Sequence, residues 1–232
     1  MISKTRPPMP AIDYEAEAEA YCRSLTLENI MEATKQATQR KITVESFDLV
    51  SSRRSDVHVF SELLVQYPLP GKRRPGQVVP DNMVVITEER IDDMTSYNLP
   101  FQPAPPFWAM EYVSEGSKRK DYVENHRKYE RELKVPYYLL FHPDDQDLIL
   151  YRHNQRRYAK VKPNEHGRLA VPELEIELAL LDGYVRFWHQ GELLPLPAEL
   201  EQQRNEERQK ADDLQRRLEA AEQELAKLRQ RP

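Results

Sequence analysis

The chain has 232 residues, 39% of them hydrophobic and 31% charged, which is enough for one domain and an appendage. Its formal net charge of −5 gives no overall basic field, so any contact with DNA must use local patches. The single cysteine, Cys22, excludes an internal disulfide and a cysteine-based zinc site. Without a long apolar stretch or a signal-peptide pattern, we expect a cytoplasmic protein with no membrane partner.

The N-terminal quarter is predicted to be helical after a short arm. Residues 1–12 are rich in proline and lack periodicity, so a disordered arm is expected there. Alanine and glutamate dominate from Tyr14 to about Ser24 and predict a helix. A second helix is predicted to begin at Thr26, and a third to run from Thr43 to about Arg53.

Three hydrophobic runs then predict strands over residues 59–67, 78–87 and 107–113. The first two are joined by a turn-rich loop that carries Lys72, Arg73 and Arg74. This basic loop suits contact with phosphate, and it equally suits a solvated hairpin. A proline-rich loop over residues 88–106 separates the second and third strands and has the length of a functional lid.

Two acids stand at the ends of two of these apolar runs. Asp81 lies early in the second strand, and Glu111 lies late in the third. Because side chains alternate along a strand, Glu111 shares a face with Ala109 and Val113 among apolar neighbours. A buried carboxylate needs a partner, a metal or a proton, so the pair suits a site that grips a hard divalent cation. The alternative is an acid at a strand end that pairs with a surface arginine.

A charged helix is predicted next, over residues 118–134, and it begins with Lys118, Arg119 and Lys120. Strands are predicted at 136–142, 148–152, 158–161, 174–181 and 184–189. The hairpin formed by the second and third of these carries a second basic cluster, which offers a surface for a DNA backbone or another partner. Its members are Arg152, Arg156, Arg157, Lys160 and Lys162.

Several of these residues match the order and spacing of a known family: Pro80-Asp81, Glu111, Ser114, Asp121, Tyr129 and the run Val135-Pro136-Tyr137-Tyr138-Leu139-Leu140. Over roughly residues 25–195 the chain resembles the Uma-type family of restriction-endonuclease-like proteins, within the PD-(D/E)XK nuclease superfamily. The resemblance implies an α/β fold with a mixed β-sheet flanked by helices. It also implies an endonuclease that hydrolyses DNA phosphodiester bonds with Mg²⁺ or Mn²⁺.

The resemblance also suggests roles for individual residues. Asp81, Glu111 and the carbonyl of Tyr112 would hold the metal. The first core helix of the superfamily often supplies a further acid, for which Glu45 is preferred to Asp48. The basic residues available for DNA are Lys72, Arg73, Arg74, Lys118 and Arg119.

One departure from the family pattern concerns the catalytic lysine. The superfamily pattern places a lysine two residues after the glutamate, where this chain has Val113, and the family moves it to a position occupied here by Asn125. Lys128 lies three residues further on, roughly on the same face of an α-helix, and is the first candidate. Lys120 is the second. The alternative is a catalytically degenerate protein that acts as a dimeric interaction or nucleic-acid-binding module.

The chain ends in a segment, residues 196–232, that predicts a coiled-coil helix. Its apolar positions step by three and four over three heptads. They are Ala211, Leu214, Leu218, Ala221, Leu225 and Leu228. We expect a homodimer through this helix, with a lone salt-bridged helix as the alternative. The predicted organisation is therefore an arm (1–12), a nuclease-like domain (13–195) and the coiled-coil helix.

Overall fold

The computed structural model of this chain describes residues 12–25, 34–92, 94–114 and 116–229. The predicted arm up to residue 11 and the predicted helix start at Thr26 lie outside these ranges. By contact density the chain divides into two units, Met1–Leu194 and Pro195–Pro232. Among the described helices, none combines the length and the apolar character needed to cross a membrane.

A mixed sheet forms the centre of the first unit. Its strands in the described residues are β1 Val57–Ser61, β4 Asn82–Ile86, β6 Trp108–Tyr112, β7 Tyr137–His142, β8 Asp147–His153 and β9 Tyr158–Lys160. They lie in the order β1-β4-β6-β7-β8-β9. The central strands β6 and β7 are parallel, and every other neighbouring pair in this described sheet is antiparallel.

Two smaller sheets accompany the central one. The first contains β2 Leu64–Tyr67, β3 Gly76–Val78 and β5 Ser96–Asn98, in the order β3-β2-β5, and a short 3₁₀ helix, Leu99–Phe101, follows β5. The second is an antiparallel sheet of β10 Leu169–Val171, β11 Ile176–Leu181, β12 Tyr184–His189 and β13 Glu192–Leu193. A 3₁₀ turn, Pro172–Leu174, connects β10 to β11.

Helices cover both faces of the central sheet. Helix α1 spans Tyr14–Ser24, as predicted, and Asp13 caps its N-terminus. Helix α2, Thr34–Arg53, packs Phe47 against Trp108 of the sheet and against Phe187 of β12. On the other face, Tyr129 packs against Tyr138 from a helix that follows β6. The predicted mixed sheet flanked by helices is therefore confirmed, and the second unit contains the predicted C-terminal helix, α3 Pro197–Arg229.

Three predicted boundaries were wrong, each for a physical reason. The strand predicted over 59–67 is two strands in different sheets, broken at Glu62, whose φ is +49°. The strand predicted over 78–87 is divided between β3 and β4 at residues 79–81, where Pro80 lacks the N–H that a strand ladder requires. The described part of helix α2 begins at Thr34, nine residues before the predicted start. The prediction missed this stretch because the buried face of the helix carries polar residues and lacks an apolar period.

The loop predicted over 88–106 was also only partly right. It contains strand β5, which pairs in parallel with β2 through Leu64 opposite Ser96. Tyr97 of this strand is fully buried and donates a hydrogen bond from its hydroxyl to the carbonyl of Ala104 at 2.5 Å. The segment is therefore anchored on the protein by its own strand.

Candidate active site

The two predicted acids lie opposite each other at one end of the central sheet. Strand β4 pairs with β6 so that Asn82 faces Met110, and the next pair along that register is Asp81 and Glu111. The backbone N–H of Tyr112 donates to Asp81 Oδ2 at 2.5 Å, which fastens the aspartate to the neighbouring strand. Strand pairing thus brings together two carboxyls that are thirty residues apart in sequence.

The helix after β6 adds a third carboxyl and two anchors for Glu111. The Glu111 side chain is buried, and its Oε1 accepts from Asn125 Nδ2 at 2.9 Å and from the Tyr129 hydroxyl at 2.8 Å. Asn125 Nδ2 also donates to Asp121 Oδ1 at 3.1 Å. The buried Asp121 carboxyl is therefore bridged to Glu111 by one amide, and its backbone carbonyl accepts from the Tyr138 hydroxyl at 2.9 Å.

The winding of this helix explains which side chains reach the site. Two π-helical segments, Lys120–Asn125 and Lys128–Leu133, make up most of it, and we call it the π helix. In a π-helix each hydrogen bond spans five residues, so side chains four apart stay close to one face. Asp121, Asn125 and Tyr129 follow that spacing and line the site.

Lys128 does not lie on this face of the π helix. It lies seven residues after Asp121. Residues seven apart share a face in an α-helix but not in a π-helix, which has more residues per turn. Its Nζ donates instead to the backbone carbonyl of Gln77 at 2.8 Å. Burial lowers the pKa of Lys128, and the charge of Lys120 adds to that effect. The structure therefore brings Asp81 and Glu111 together but leaves Lys128 outside their hydrogen-bond network.

The pKa values of all three carboxyls are raised, because the three groups share a poorly solvated region. Burial raises the pKa of Asp81 to about 6, and the carboxylate of Asp121 adds to the rise. Burial raises the pKa of Glu111 well above its ordinary value, with further contributions from Asp81 and Asp121. The pKa of Asp121 is also raised by burial, while Ser117, Lys120 and Asn125 oppose the shift. The site therefore disfavours negative charge on all three carboxyls at once.

Lys120 acts on all three carboxyls through its charge. Burial alone would lower its pKa, but Glu111, Asp121 and Asp81 together outweigh that effect and raise it. Its charge in turn opposes the raised pKa of each of these acids. The residue as a whole is exposed although its ammonium group is partly desolvated, so a ligand that reaches the carboxyls also meets this group.

Helix α2 supports the site from the other face of the sheet, through residues that the sequence analysis did not select. Gln36 Nε2 donates to the backbone carbonyl of Tyr112 at 2.8 Å, and Thr43 shares a 2.7 Å hydrogen bond with the Tyr112 hydroxyl. Arg40 pairs with Glu62, whose N–H donates to the carbonyl of Asp81 at 3.3 Å. No sequence pattern marks these positions, since they become neighbours of the site only through helix packing.

The structure does not bring Glu45 to the carboxyls. Nine residues along an α-helix correspond to about half a turn beyond two full turns, so Glu45 lies on the opposite side of α2 from Gln36. It pairs there with Lys41 at 3.8 Å.

The basic residues predicted for DNA lie on the surface. Lys72, Arg73 and Arg74 are exposed, and Arg74 lies 3.8 Å from Glu17. Lys118 pairs with Asp145 at 3.3 Å, and Arg119 lies 4.0 Å from Glu124. Such ion pairs near the surface are weak, so these side chains can exchange one acidic partner for another anion at little cost.

The donor chemistry of the site fits a hard divalent cation. Carboxylate and carbonyl oxygens are the ligands that Mg²⁺ and Mn²⁺ prefer, and Asp81, Glu111 and the Tyr112 carbonyl supply that chemistry. Asn125 Oδ1 is a buried acceptor that lacks a hydrogen-bond partner in the described part of the chain. In the same ranges no three side chains of His, Cys, Asp or Glu are grouped as a metal site, so a cation would depend on two carboxylates and backbone oxygen.

The raised pKa of Asp81 predicts a stability that falls as the pH rises. Because its folded pKa of about 6 exceeds the ordinary 3.8, the folded protein binds more protons between these values than the unfolded chain. We expect the metal-free protein to lose roughly 2–3 kcal/mol of unfolding free energy between about pH 4 and pH 7 from this group. Urea unfolding in EDTA at several pH values measures the slope, and Asp81→Asn should flatten it. An equal slope in both proteins would contradict the assignment.

The fold and the site define a mixed-sheet α/β protein with an acidic cluster at the end of its central strands. The sequence profile of the Uma2 family, described as "Putative restriction endonuclease", matches residues 28–181. The chain therefore belongs to the Uma2 family, which confirms the resemblance found in the sequence and supports the nuclease class. Proteins with restriction-endonuclease-like folds generally use divalent metals.

A solved structure is weakly similar to this chain. It is a crystal structure described as a putative nuclease belonging to DUF820 from Anabaena variabilis, with 19% sequence identity and a TM-score of 0.47. The match covers 62% of this chain and 75% of that one. No curated protein sequence matches this chain.

Proposed function

We propose that this protein is an endonuclease that hydrolyses DNA phosphodiester bonds with Mg²⁺ or Mn²⁺ held by Asp81 and Glu111. The observation that carries the proposal is the juxtaposition of these two acids, one half-buried and one buried, near Lys120, whose charge acts on both. Two carboxylates in one poorly solvated site repel each other, and a divalent cation removes that repulsion. The Uma2 membership supports the same chemistry.

Several residues of the site hold the oxygen atoms that would bind the metal in fixed positions. Asn125 and Tyr129 hold Glu111 by its Oε1, and the N–H of Tyr112 holds Asp81 by its Oδ2, so both carboxyls are fixed before a ligand arrives. Gln36 fixes the Tyr112 carbonyl, the third oxygen donor. A bound divalent cation would supply Lewis-acid stabilisation of charge on the phosphate oxygens.

In this proposal Lys120 takes the role of the displaced lysine. Its charge acts on Asp81, Glu111 and Asp121, while Lys128 is held by the Gln77 carbonyl. An ammonium in that place stabilises the negative charge that develops on phosphate during attack by water, and it can orient that water. The proposed roles therefore reverse the order of the two lysines expected from α-helical spacing.

The test uses purified protein and supercoiled plasmid, with Mn²⁺ or Mg²⁺ in one arm and EDTA in the other. Nicking that requires metal supports the proposal, and its absence from folded protein over a range of pH values and metal concentrations contradicts it.

A second candidate function is a nuclease fold without catalysis, acting as a nucleic-acid-binding module. The observation that favours it is Asn125, which bridges Glu111 and Asp121 where the family pattern places a lysine. DNA binding that is unchanged by Asp81→Ala, by a protein that nicks no plasmid with Mn²⁺ or Mg²⁺, would support this function. Metal-dependent turnover would exclude it.

We also propose that the C-terminal helix forms a homodimer. Helix α3 is 33 residues long and strongly polar, yet Leu214 and Leu218 are 65% and 60% exposed on it. Leucines four residues apart on an exposed helix lie on one face and gain free energy when a second helix covers them.

The double substitution Leu214→Asp and Leu218→Asp is expected to convert the dimer to a monomer, because it places charge in the apolar seam. Light scattering after size-exclusion chromatography measures the mass. Arg216→Asp, which changes an exposed position outside the seam, should leave the dimer intact. A monomeric wild-type protein at micromolar concentration would contradict the proposal.

A further inference from the structure

The hairpin between β8 and β9 concentrates positive charge in an acidic protein. The chain carries a formal net charge of −5, yet residues 150–164 contain no aspartate or glutamate. The same segment carries the five cations of the basic cluster named in the sequence analysis. We call residues 152–162 the basic hairpin. A local excess of this size creates an attractive potential for a polyanion, independently of the overall charge.

Most of these cations lack an acidic partner among the described residues. Arg156, Arg157, Lys160 and Lys162 are exposed, and none of them forms an ion pair with any residue that the structure describes. Arg152 differs, because it pairs with Glu173 at 2.6 Å and stacks over the ring of Tyr137. Within the described ranges, four side chains can therefore meet an incoming anion without the loss of an existing salt bridge.

The turn that presents the arginines is fixed by its own hydrogen bonds. Asn154 Oδ1 accepts from the N–H groups of Arg156 and Arg157 at 3.1 and 3.0 Å, and Gln155 takes a φ of +72°. His153 anchors the base of the hairpin, since its Nδ1 accepts from the N–H of Gln155 at 3.0 Å and its Nε2 lies 3.0 Å from the carbonyl of Glu130. A fixed turn loses little conformational entropy when it binds.

The surface beside this turn is concave. An open depression of about 500 Å³ is lined by Arg152, His153 and Lys160 among others, and a second of about 380 Å³ by Lys134 and Pro136. His153 and Gln155 line both depressions, so the two adjoin. Lys134 is exposed and adds a further cation to the same region.

The position of the basic hairpin separates it from the carboxyls. Arg152 lies opposite Tyr137, which lies opposite Trp108, three residues before Glu111, and β9 is the edge strand three places from β6. At about 3.3 Å per residue and about 4.8 Å per strand, the part of β9 opposite Arg152 lies roughly 17 Å from Glu111, and the turn with the arginines lies further away. The shorter distance corresponds to roughly five base pairs of a DNA duplex.

We propose that the basic hairpin binds the phosphate backbone of double-stranded DNA beside the cleavage position. The proposal rests on the proposed function for the identity of the polyanion, and it adds a second contact that holds the duplex without reading its sequence. The other explanation for these cations is protection of an edge strand from pairing with another chain, a common role of lysine on edge strands.

The test measures binding of a fluorescent 30-base-pair duplex in EDTA, where no cleavage occurs, at several salt concentrations. Arg156→Glu with Arg157→Glu is expected to raise the Kd at least about tenfold and to lower the slope of log Kd against log salt by about 2, one for each lost phosphate contact. Arg156→Gln with Arg157→Gln should produce a smaller shift in the same direction. Thermal melting checks that each variant is folded.

The matched control is Lys41→Glu with Arg90→Glu. These side chains are 71% and 89% exposed, and the control changes the net charge by the same amount as the double arginine variant. Control binding close to wild type, together with weak binding by the hairpin variant, supports the proposal. Hairpin variants that bind like wild type, or that only aggregate more, overturn it and favour edge protection. If wild-type protein binds no duplex in EDTA, the role of the basic hairpin is overturned, whereas the proposed function fails only if plasmid nicking with Mn²⁺ or Mg²⁺ is also absent, so the two failures are distinguishable.

Discussion

Replacing Asp81 with asparagine is expected to lower metal-dependent plasmid nicking by about 10³-fold, equivalent to about 4 kcal/mol of transition-state stabilisation. The reason is the loss of one of two carboxylates that can hold the cation. Asparagine has nearly the same shape, and its Oδ1 can still accept the hydrogen bond from the N–H of Tyr112. The substitution therefore removes charge and leaves the strand pairing unchanged.

Two measurements separate this effect from misfolding. Calorimetric titration with Mn²⁺ should show binding to the wild type and none, or much weaker binding, to the variant. Urea unfolding in EDTA at pH 7.5 should show a variant at least as stable as the wild type, because the poorly solvated charge has gone. Asp92→Asn removes an aspartate that is 84% exposed, and it should change neither nicking nor metal binding. If the Asp81→Asn variant nicks plasmid at the same rate as the wild type, the proposed role of Asp81 is ruled out.

Replacing Lys120 with methionine is expected to reduce kcat for nicking by about 10²-fold or more, the range typical of a lost charge-stabilising or proton-transferring group. The charge of Lys120 acts on all three carboxyls of the site. Lys128→Met provides the matched comparison on the same helix. Since its ammonium is held by the Gln77 carbonyl, this variant should retain nicking within about threefold and lose about 1 kcal/mol of stability.

The pair of variants decides which lysine serves the reaction. Loss of nicking with Lys120→Met alone assigns the role to Lys120. Loss with Lys128→Met alone would reinstate the order expected from α-helical spacing and would require the helix to rewind when substrate binds. If both variants nick plasmid as fast as the wild type, neither ammonium group contributes to the reaction. Single-turnover kinetics with saturating enzyme separate an effect on the chemical step from an effect on DNA binding.

The location of Lys120 has a consequence for how the chain departs from its family pattern. Asn125 stands where the resemblance found in the sequence leads us to expect the family's lysine, and it donates to both Glu111 and Asp121. An amide can bridge two carboxyls but supplies no net charge, so any compensating positive charge must come from another residue. Lys120 lies one position before Asp121 and is exposed, which allows its flexible side chain to approach a phosphate from solvent.

The sequence by itself determined the elements that depend on local patterns. Alternation along 107–113 placed Glu111 on the same face as Ala109 and Val113, and the hydrophobic run after Asp81 identified the neighbouring strand. The heptad spacing identified the C-terminal helix, because a helical period is recorded directly in the order of apolar residues. The resemblance to the Uma-type family came from the order and spacing of a larger set of residues: Pro80-Asp81, Glu111, Ser114, Asp121, Tyr129 and the run 135–140.

The tertiary structure alone decided which side chains meet at the site. The assumption of 3.6 residues per turn pointed to Lys128, whereas the π helix brings Asn125 and Tyr129 to Glu111. Gln36 acts on the Tyr112 carbonyl across 76 residues of sequence, a contact produced by helix packing and marked by no local signal. Local periodicity shows which side of a segment is buried. Contacts between polar groups that are distant in sequence depend on strand register and helix winding, which the whole fold sets.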